Sequence, residues 1–224
     1  MEDLKRIAGE AAASLVNDGM VIGLGTGSTV RYAILEIGRR VKEGMEIVGI
    51  PTSKATEQLA RSLGIPLGTL EDYEEIDLTI DGADEVDEDL DLIKGRGGAL
   101  FREKVVAKSS QNVVIVVDEG KLVPTLGTKA PLPVEVVPFS VPYCMRKIKK
   151  LGIKPKLRMS DGHPYITDNG NNILDCDAGP IVDKVGMEKS LKEITGVVES
   201  GLFIGIARRV YVGTKGGLKI LERE

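Results

Sequence analysis

The chain has 224 residues, of which 42% are apolar and 29% are charged, and its formal net charge is −4. This length is sufficient for one large domain or two small ones with a buried core. The negative charge argues against general nucleic-acid binding, which requires clustered positive charge. An anionic ligand would therefore need a local binding site.

The cysteine and histidine content restricts the chemistry further. Cys144 and Cys176 are the only cysteines and form no C-x-x-C pair, so neither a disulfide framework nor a zinc site is predicted. The sequence shows no signal-peptide pattern and no apolar run of membrane-span length, which indicates a cytoplasmic protein without membrane contact. His163, the single histidine, lies between two turn signals and is expected to be exposed. Carboxylates and lysines must then carry any proton transfer.

The first half of the chain alternates helix and strand patterns. Apolar residues at helical spacing predict helices at 3–17, from about 28 to 44, at 54–64 and from about Ala99. Short apolar runs predict strands at 20–25, 46–53, 65–70, 76–86 and 112–118. This alternation indicates an α/β fold with an open, mostly parallel, Rossmann-like sheet and helices on both faces.

A different pattern follows four prolines between residues 124 and 138. Strand and helix signals there have the order β-α-β-β-α-β, which predicts a smaller α+β, ferredoxin-like inserted domain. The segment 198–207 is its predicted last strand, and 208–222 is expected to return to the first sheet. The predicted catalytic domain is 1–128 plus 207–224, and the predicted inserted domain is 129–206.

The loop GLGTGST at 23–29 follows a buried strand and precedes a helix. Its glycine spacing does not match the dinucleotide fingerprint, and it lacks the lysine of a P-loop. A glycine turn with hydroxyls at a helix N-terminus can hold a phosphate or a sugar oxygen. A simple strand-to-helix turn with a serine cap is an equally simple interpretation of the loop.

Two further polar loops follow predicted strands. The run DGADEVDEDLD at 81–91 places Asp81 and Asp84 around Gly82 and Ala83, so that both carboxylates could face one pocket. A solvated acidic loop is the simpler interpretation of its other acidic residues, Glu85, Asp87, Glu88 and Asp89. The spacing of the acidic residues disfavours a calcium loop, whereas magnesium binding by Asp81 and Asp84 is kept as an alternative.

The third loop, KGRGGALFREK at 94–104, joins Lys94 to a glycine-rich turn and places Glu103 about one turn into the next helix. A buried carboxylate near a lysine is a plausible proton carrier near neutral pH. Lys94 and the N–H groups of the turn at 95–98 can stabilise charge that builds on a carbonyl oxygen.

Four motifs, in order and at matching spacing along essentially the whole chain, closely resemble those of ribose-5-phosphate isomerase, type A. They are GTGST at 25–29, DGADEVD at 81–87, KGRGGAL at 94–100 and REK at 102–104. PLPVEVVPF at 131–139 also resembles the segment entering that family's second domain. The resemblance implies interconversion of ribose 5-phosphate and ribulose 5-phosphate, in the non-oxidative pentose phosphate pathway, through an enediolate and without a metal or other cofactor.

The same resemblance implies roles for individual residues. Glu103 would be the base that moves a proton between C1 and C2. Asp81 would help to shuttle protons on the sugar oxygens, while Asp84 and Lys94 orient them and Lys94 stabilises the enediolate. The implied substrate-binding positions are Thr26, Gly27, Ser28, Thr29, Asp81, Gly82, Ala83, Asp84, Lys94, Gly95, Arg96, Gly97, Lys121 and Lys5. Arg96 stands where many family members have glycine, and its contact with the phosphate stays open.

Other functions are weighed against this one. Coenzyme A transfer on a related scaffold would require a larger pocket. Amino-sugar phosphate deamination would require a histidine near the site. A non-catalytic sugar-phosphate sensor is a further alternative. The family resemblance also implies a homodimer or homotetramer, with the apolar strand LFIGIA at 202–207 as a candidate contact.

Overall fold

The computed structural model describes residues 1–223 of the chain. The chain forms two compact units. Among the described residues, the first unit contains 1–83, 102–122 and 205–223, and the second contains 84–101 and 123–204.

A six-stranded sheet forms the centre of the first unit. Its strands are β1 (Val21–Leu24), β2 (Val48–Pro51), β3 (Ile76–Gly82), β6 (Ser110–Asp118), β14 (Arg209–Thr214) and β15 (Gly217–Glu222). They lie in the order β15-β14-β6-β3-β1-β2. All neighbours are parallel except the hairpin of β14 and β15, so the predicted open, mostly parallel sheet is confirmed.

Helices cover both faces of this sheet, as predicted. The helices that contribute residues to the first unit are α1 (Glu2–Ala13), α2 (Val30–Lys42), α3 (Lys54–Leu63) and α4 (Leu100–Lys108). Small residues of α1 and branched residues of α2 pack with Ile22, Leu24 and Ile80 of the sheet. On the other face, Val106 of α4 lies against Gly23, where a Cβ would be 2.7 Å from its Cγ1. Val106 also packs with Ile50 and Ile76. Both faces of the buried strands are therefore covered by helices.

The second unit contains the predicted ferredoxin-like arrangement. Its chain order is β7 (Leu132–Val136), α5 (Val141–Lys150), β8 (Lys154–Leu157), β11 (Asn172–Asp177), α6 (Lys184–Lys192) and β12 (Val197–Ser200). The four strands form an antiparallel sheet in the order β12-β7-β11-β8. Buried Val134, Leu174, Ile148 and Leu191 belong to its core.

Short strands complete the second unit. One small sheet contains β4 (Glu85–Val86), β5 (Leu92–Ile93) and β13 (Leu202–Phe203), and a hairpin contains β9 (Met159–Ser160) and β10 (His163–Pro164). His163 is exposed. Because β5 pairs with β13, residues 84–101 belong to the second unit, which differs from the predicted boundary at 128/129.

Two strand predictions were wrong in detail. The segment 65–70 forms only one bridge, between Leu67 and Gly49. The predicted strand 198–207 is interrupted at Gly201, whose N–H donates to the carbonyl of Pro133 at 2.7 Å. A Cβ at Gly201 would lie 2.3 Å from the carbonyl oxygen of Lys94, so this close backbone approach excludes a regular ladder.

Candidate active site

Three neighbouring parallel strands of the first unit end at the same edge of the sheet. The last residues of β1, β3 and β6 are Leu24, Gly82 and Asp118. The predicted binding loop 25–29 follows the first of these strands, and Asp81 lies at the end of the second. Lys121 ends the short 3₁₀ helix that follows β6. In open α/β sheets this carboxyl edge is where ligands bind.

Asp81 holds the 25–29 loop in place. Its side chain is 1% exposed, and its Oδ1 accepts N–H bonds from Thr26 at 3.0 Å and from Gly82 at 2.7 Å. The N–H of Gly25 donates to the carbonyl of Ile80 at 2.9 Å. The carboxylate and the loop therefore fix each other across two adjacent strands.

Gly25 is required by this close approach. A Cβ at Gly25 would lie 2.2 Å from Oδ1 of Asp81 and 2.5 Å from its Cα. The Cα belongs to a buried strand and cannot move away like the end of a flexible side chain. Gly25 thus serves packing, in addition to the turn that the sequence indicated.

A cluster of hydroxyl groups supports Thr26 from the end of β2. The Oγ1 of Thr26 lies 2.7 Å from Oγ1 of Thr52, 2.8 Å from Oγ of Ser53 and 3.1 Å from Oγ1 of Thr56. Thr56 also donates to the carbonyl of Gly25 at 2.9 Å. Sequence reasoning missed these three partners, although the polar PTS after β2 is the kind of signal that marks the other site loops.

The rest of the loop presents a helix N-terminus. Gly27 has φ +140°, and both Gly27 and Ser28 are exposed. Thr29 is the N-cap of α2, without a side-chain capping bond. Backbone N–H groups at the start of a 13-residue helix favour an anion there, so phosphate binding at this loop stays a prediction.

Glu103 lies in the first turn of α4 and is 3% exposed. Lys121 is half-buried. Lys5 belongs to α1, where its ammonium pairs with Glu2 at 3.2 Å. Gly82 and Ala83 are half-buried at the end of β3.

The remaining predicted site residues belong to the second unit. Lys94 is 2% exposed, and its Nζ lies 5.4 Å from the ring centroid of Phe203. Asp84 is half-buried and its Oδ2 accepts the N–H bond of Arg96 at 2.9 Å. Arg96 and Gly97 are exposed, and Gly95 is buried with φ +105°.

The interpretation of the other acidic residues as a solvated loop was wrong for Glu85 and Asp87, which are 0% and 6% exposed. Glu85 accepts N–H bonds at 2.5–2.6 Å from Gly127, Lys129 and Ala130. Its carboxylate thereby anchors the proline-rich segment. The interpretation holds for Glu88 and Asp89, which are exposed.

Within residues 1–223, one group of three carboxylates is compact enough for a shared cation, namely Asp87, Asp89 and Asp91. The ammonium of Lys184 already occupies it, at 2.7, 3.0 and 2.6 Å from the three. Burial lowers the pKa of Lys184, but its hydrogen bonds to these carboxylates raise that pKa above its ordinary value. This cluster is a structural ion network and not the magnesium site considered for Asp81 and Asp84.

Comparisons with known proteins identify the family of the chain. The family model of ribose 5-phosphate isomerase A (phosphoriboisomerase A) matches residues 48–217. The ribose-5-phosphate isomerase A of Bacillus mycoides is 53% identical over 220 residues, which cover 98% of this chain and 99% of that protein. The chain belongs to the ribose 5-phosphate isomerase A family.

Solved structures of the family share the whole fold. The enzyme from Methanocaldococcus jannaschii is 45% identical, with a TM-score of 0.94 over 99% of both chains. A D-ribose-5-phosphate isomerase in complex with phospho-erythronic acid is 44% identical, with a TM-score of 0.97 over 99% of both chains. The predicted family and fold class are confirmed, and the protein is an isomerase of ribose 5-phosphate. None of the helices in residues 1–223 is long and apolar enough to span a membrane.

We predict that Gly25→Ala lowers the free energy of unfolding by about 1–3 kcal/mol through overpacking. We expect kcat/KM to fall about tenfold or more, because groups of the site are displaced. The added methyl group would push Asp81 away from Thr26. Steady-state kinetics and a thermal melt check this expectation. Gly216→Ala is the matched control, since the nearest atom to its Cβ is 3.8 Å away. Equal rates for the two variants would contradict the packing argument.

Proposed function

We propose that this isomerisation proceeds by proton transfer between C1 and C2 through an enediolate, with Glu103 as the base. The observation that carries the proposal is the burial of the Glu103 carboxylate in the first turn of α4, at 3% exposure. A buried carboxylate is shielded from water, which suits it to take a proton from carbon. The single histidine is exposed in a hairpin, so imidazole chemistry has no support.

The charge of the enediolate requires stabilisation by groups that are already in place. We assign this role to Lys94 and to the N–H groups of the turn at 95–98. Lys94 is buried beside an aromatic ring, and a cation in such a low-dielectric setting interacts strongly with an oxyanion. Asp81 and Asp84 have carboxylates of fixed orientation because each accepts backbone N–H bonds. Fixed orientation supports their assignment to proton shuttling and positioning of the sugar oxygens.

The phosphate group is assigned to the exposed start of α2. The backbone of Gly27, Ser28 and Thr29 offers N–H groups there, the side chains of Ser28 and Thr29 offer hydroxyls, and Lys121 supplies positive charge. Thr26 is assigned an indirect part, since three hydroxyls already surround its own. Lys5 is assigned to the phosphate only by the family resemblance, since its ammonium is paired with Glu2.

We predict that Glu103→Gln lowers kcat by about 10² or more, because the amide cannot accept the proton. The isosteric change is expected to leave KM within a few-fold. Spectrophotometric assay of ribose 5-phosphate conversion measures both constants. Glu10→Gln on the exposed side of α1 makes the same chemical change outside the site. A near-normal rate for Glu103→Gln would exclude this residue as the base.

We predict that activity is unchanged after dialysis against EDTA. The proposed steps use a carboxylate, a lysine and backbone N–H groups, none of which needs a metal ion. The assay compares the dialysed enzyme with and without added magnesium. Loss of activity that magnesium restores would instead assign a metal to Asp81 and Asp84.

We also propose that the protein is a homodimer or homotetramer with its contact on the second unit. The candidate segment LFIGIA is unsuitable at Leu202 and Phe203, which are 0% and 1% exposed. Val137, Phe139 and Tyr143 are exposed together around the start of α5, with Phe139 at 96%, and such apolar clusters favour association. Light scattering is expected to give a multiple of the chain mass, and Phe139→Ser to reduce it. A monomeric wild-type protein would contradict the proposal.

A further inference from the structure

The glycine-rich turn of the second unit needs external support. Gly95 has φ +105° and Gly98 has φ +80°, and glycines lose much conformational freedom when they are fixed. A single bond within the turn joins the N–H of Gly98 to the carbonyl of Gly95 at 3.0 Å. A turn that has to present N–H groups to an oxyanion must nevertheless be rigid.

Arg158, which directly follows β8, supplies that support. Its Nη1 donates to the carbonyl of Gly95 at 3.1 Å and to the carbonyl of Arg96 at 3.0 Å. Its Nε and Nη2 donate to the two carboxylate oxygens of Asp175 at 2.9 and 2.5 Å. The side chain is 14% exposed. One guanidinium group therefore fastens the turn to the sheet through β11.

The peptide group between Gly95 and Arg96 is held at both ends by charged groups. Its carbonyl accepts from the Arg158 guanidinium, and its N–H donates to Oδ2 of Asp84. A cation at the oxygen and an anion at the N–H polarise the peptide in the same direction, so each bond strengthens the other. The orientation of this peptide, and with it that of Asp84, depends on Arg158.

Tyr165 provides a second contact on the same side. The Arg158 guanidinium lies 5.7 Å from its ring centroid, and its hydroxyl donates to the carbonyl of Gly97 at 3.4 Å. A Cβ at Gly98 would lie 2.2 Å from that hydroxyl oxygen. The turn carbonyls of Gly95, Arg96 and Gly97 thus all have partners among Arg158 and Tyr165.

We propose that Arg158 is a positioning residue for the isomerisation, holding the 95–98 turn and Asp84 in the arrangement that stabilises the enediolate. This inference rests on the proposed function, because it assigns the turn to transition-state stabilisation. Arg158 acts through the turn and through Asp84. Its loss should therefore affect the enediolate, which is charged at C1 and C2, more than the bound substrate, which is uncharged at those carbons.

The test compares Arg158→Met, which removes the guanidinium and keeps a long side chain, with Lys154→Met. Lys154 lies on the same β8 and pairs with Asp177 of the same β11 at 3.8 Å, but both side chains are exposed. For Arg158→Met we expect kcat to fall about tenfold or more, with KM for ribose 5-phosphate within about threefold. The inhibition constant of phospho-erythronic acid, which has a negative carboxylate in addition to its phosphate, should rise about tenfold, because that carboxylate resembles the charged enediolate. Lys154→Met should match the wild type in all three constants.

Asp175→Asn is the second variant, because it loosens the anchoring of Arg158 while the guanidinium remains. For Asp175→Asn we expect a smaller fall in kcat, again with KM nearly unchanged. For Arg158→Lys we expect a kcat between those of the wild type and Arg158→Met. Unchanged kcat in folded Arg158→Met, or a loss of kcat that Lys154→Met shares, would overturn the proposal. Failure of the proposed function gives a different result. In that case Glu103→Gln keeps a near-normal kcat, independently of the kcat of the Arg158 variants.

Discussion

Asp81 accepts backbone N–H bonds from Thr26 and Gly82, and the shape of the 25–29 loop depends on this carboxylate. Burying a carboxylate costs several kcal/mol unless hydrogen bonds compensate for lost water. The compensation here comes from the loop that has to be positioned. The requirement extends to Gly25, where any side chain would collide with Asp81. Loop geometry, glycine choice and carboxylate burial are consequences of one interaction.

The acidic run from residue 81 to residue 91 uses the same device repeatedly. Asp84 accepts the N–H of Arg96, and Glu85 accepts three N–H groups of the segment 127–130. Asp87 accepts those of Asp89 and Asp91. Each unit thus has its own polar loops fixed by carboxylates close together in sequence. Fixed donors and acceptors are what an enzyme needs to stabilise charge without reorganisation at each turnover.

The sequence predicts those features of the structure that are encoded in local patterns of residues. Strand and helix periodicity predicts both sheets, and the motifs around Gly25, Asp81, Lys94 and Glu103 predict the family. It does not predict partners that meet only in the fold. Thr26 and Thr56 are 30 residues apart, and Gly95 and Arg158 are 63 apart. The burial of Glu85 was also missed, because its N–H donors lie more than 40 residues later.

We propose that substrate binds at the loop fixed by Asp81, with the Glu103 carboxylate at the reacting carbons. A crystal structure of the protein with phospho-erythronic acid is the sharpest test, because the two oxygens and the negative charge of its carboxylate resemble those of the enediolate at C1 and C2. We expect a Glu103 carboxylate oxygen within about 3 Å of the ligand's carboxylate, and the ligand's phosphate at Gly27, Ser28 and Thr29. A ligand bound away from this loop, or a Glu103 side chain directed away from the ligand, would contradict it.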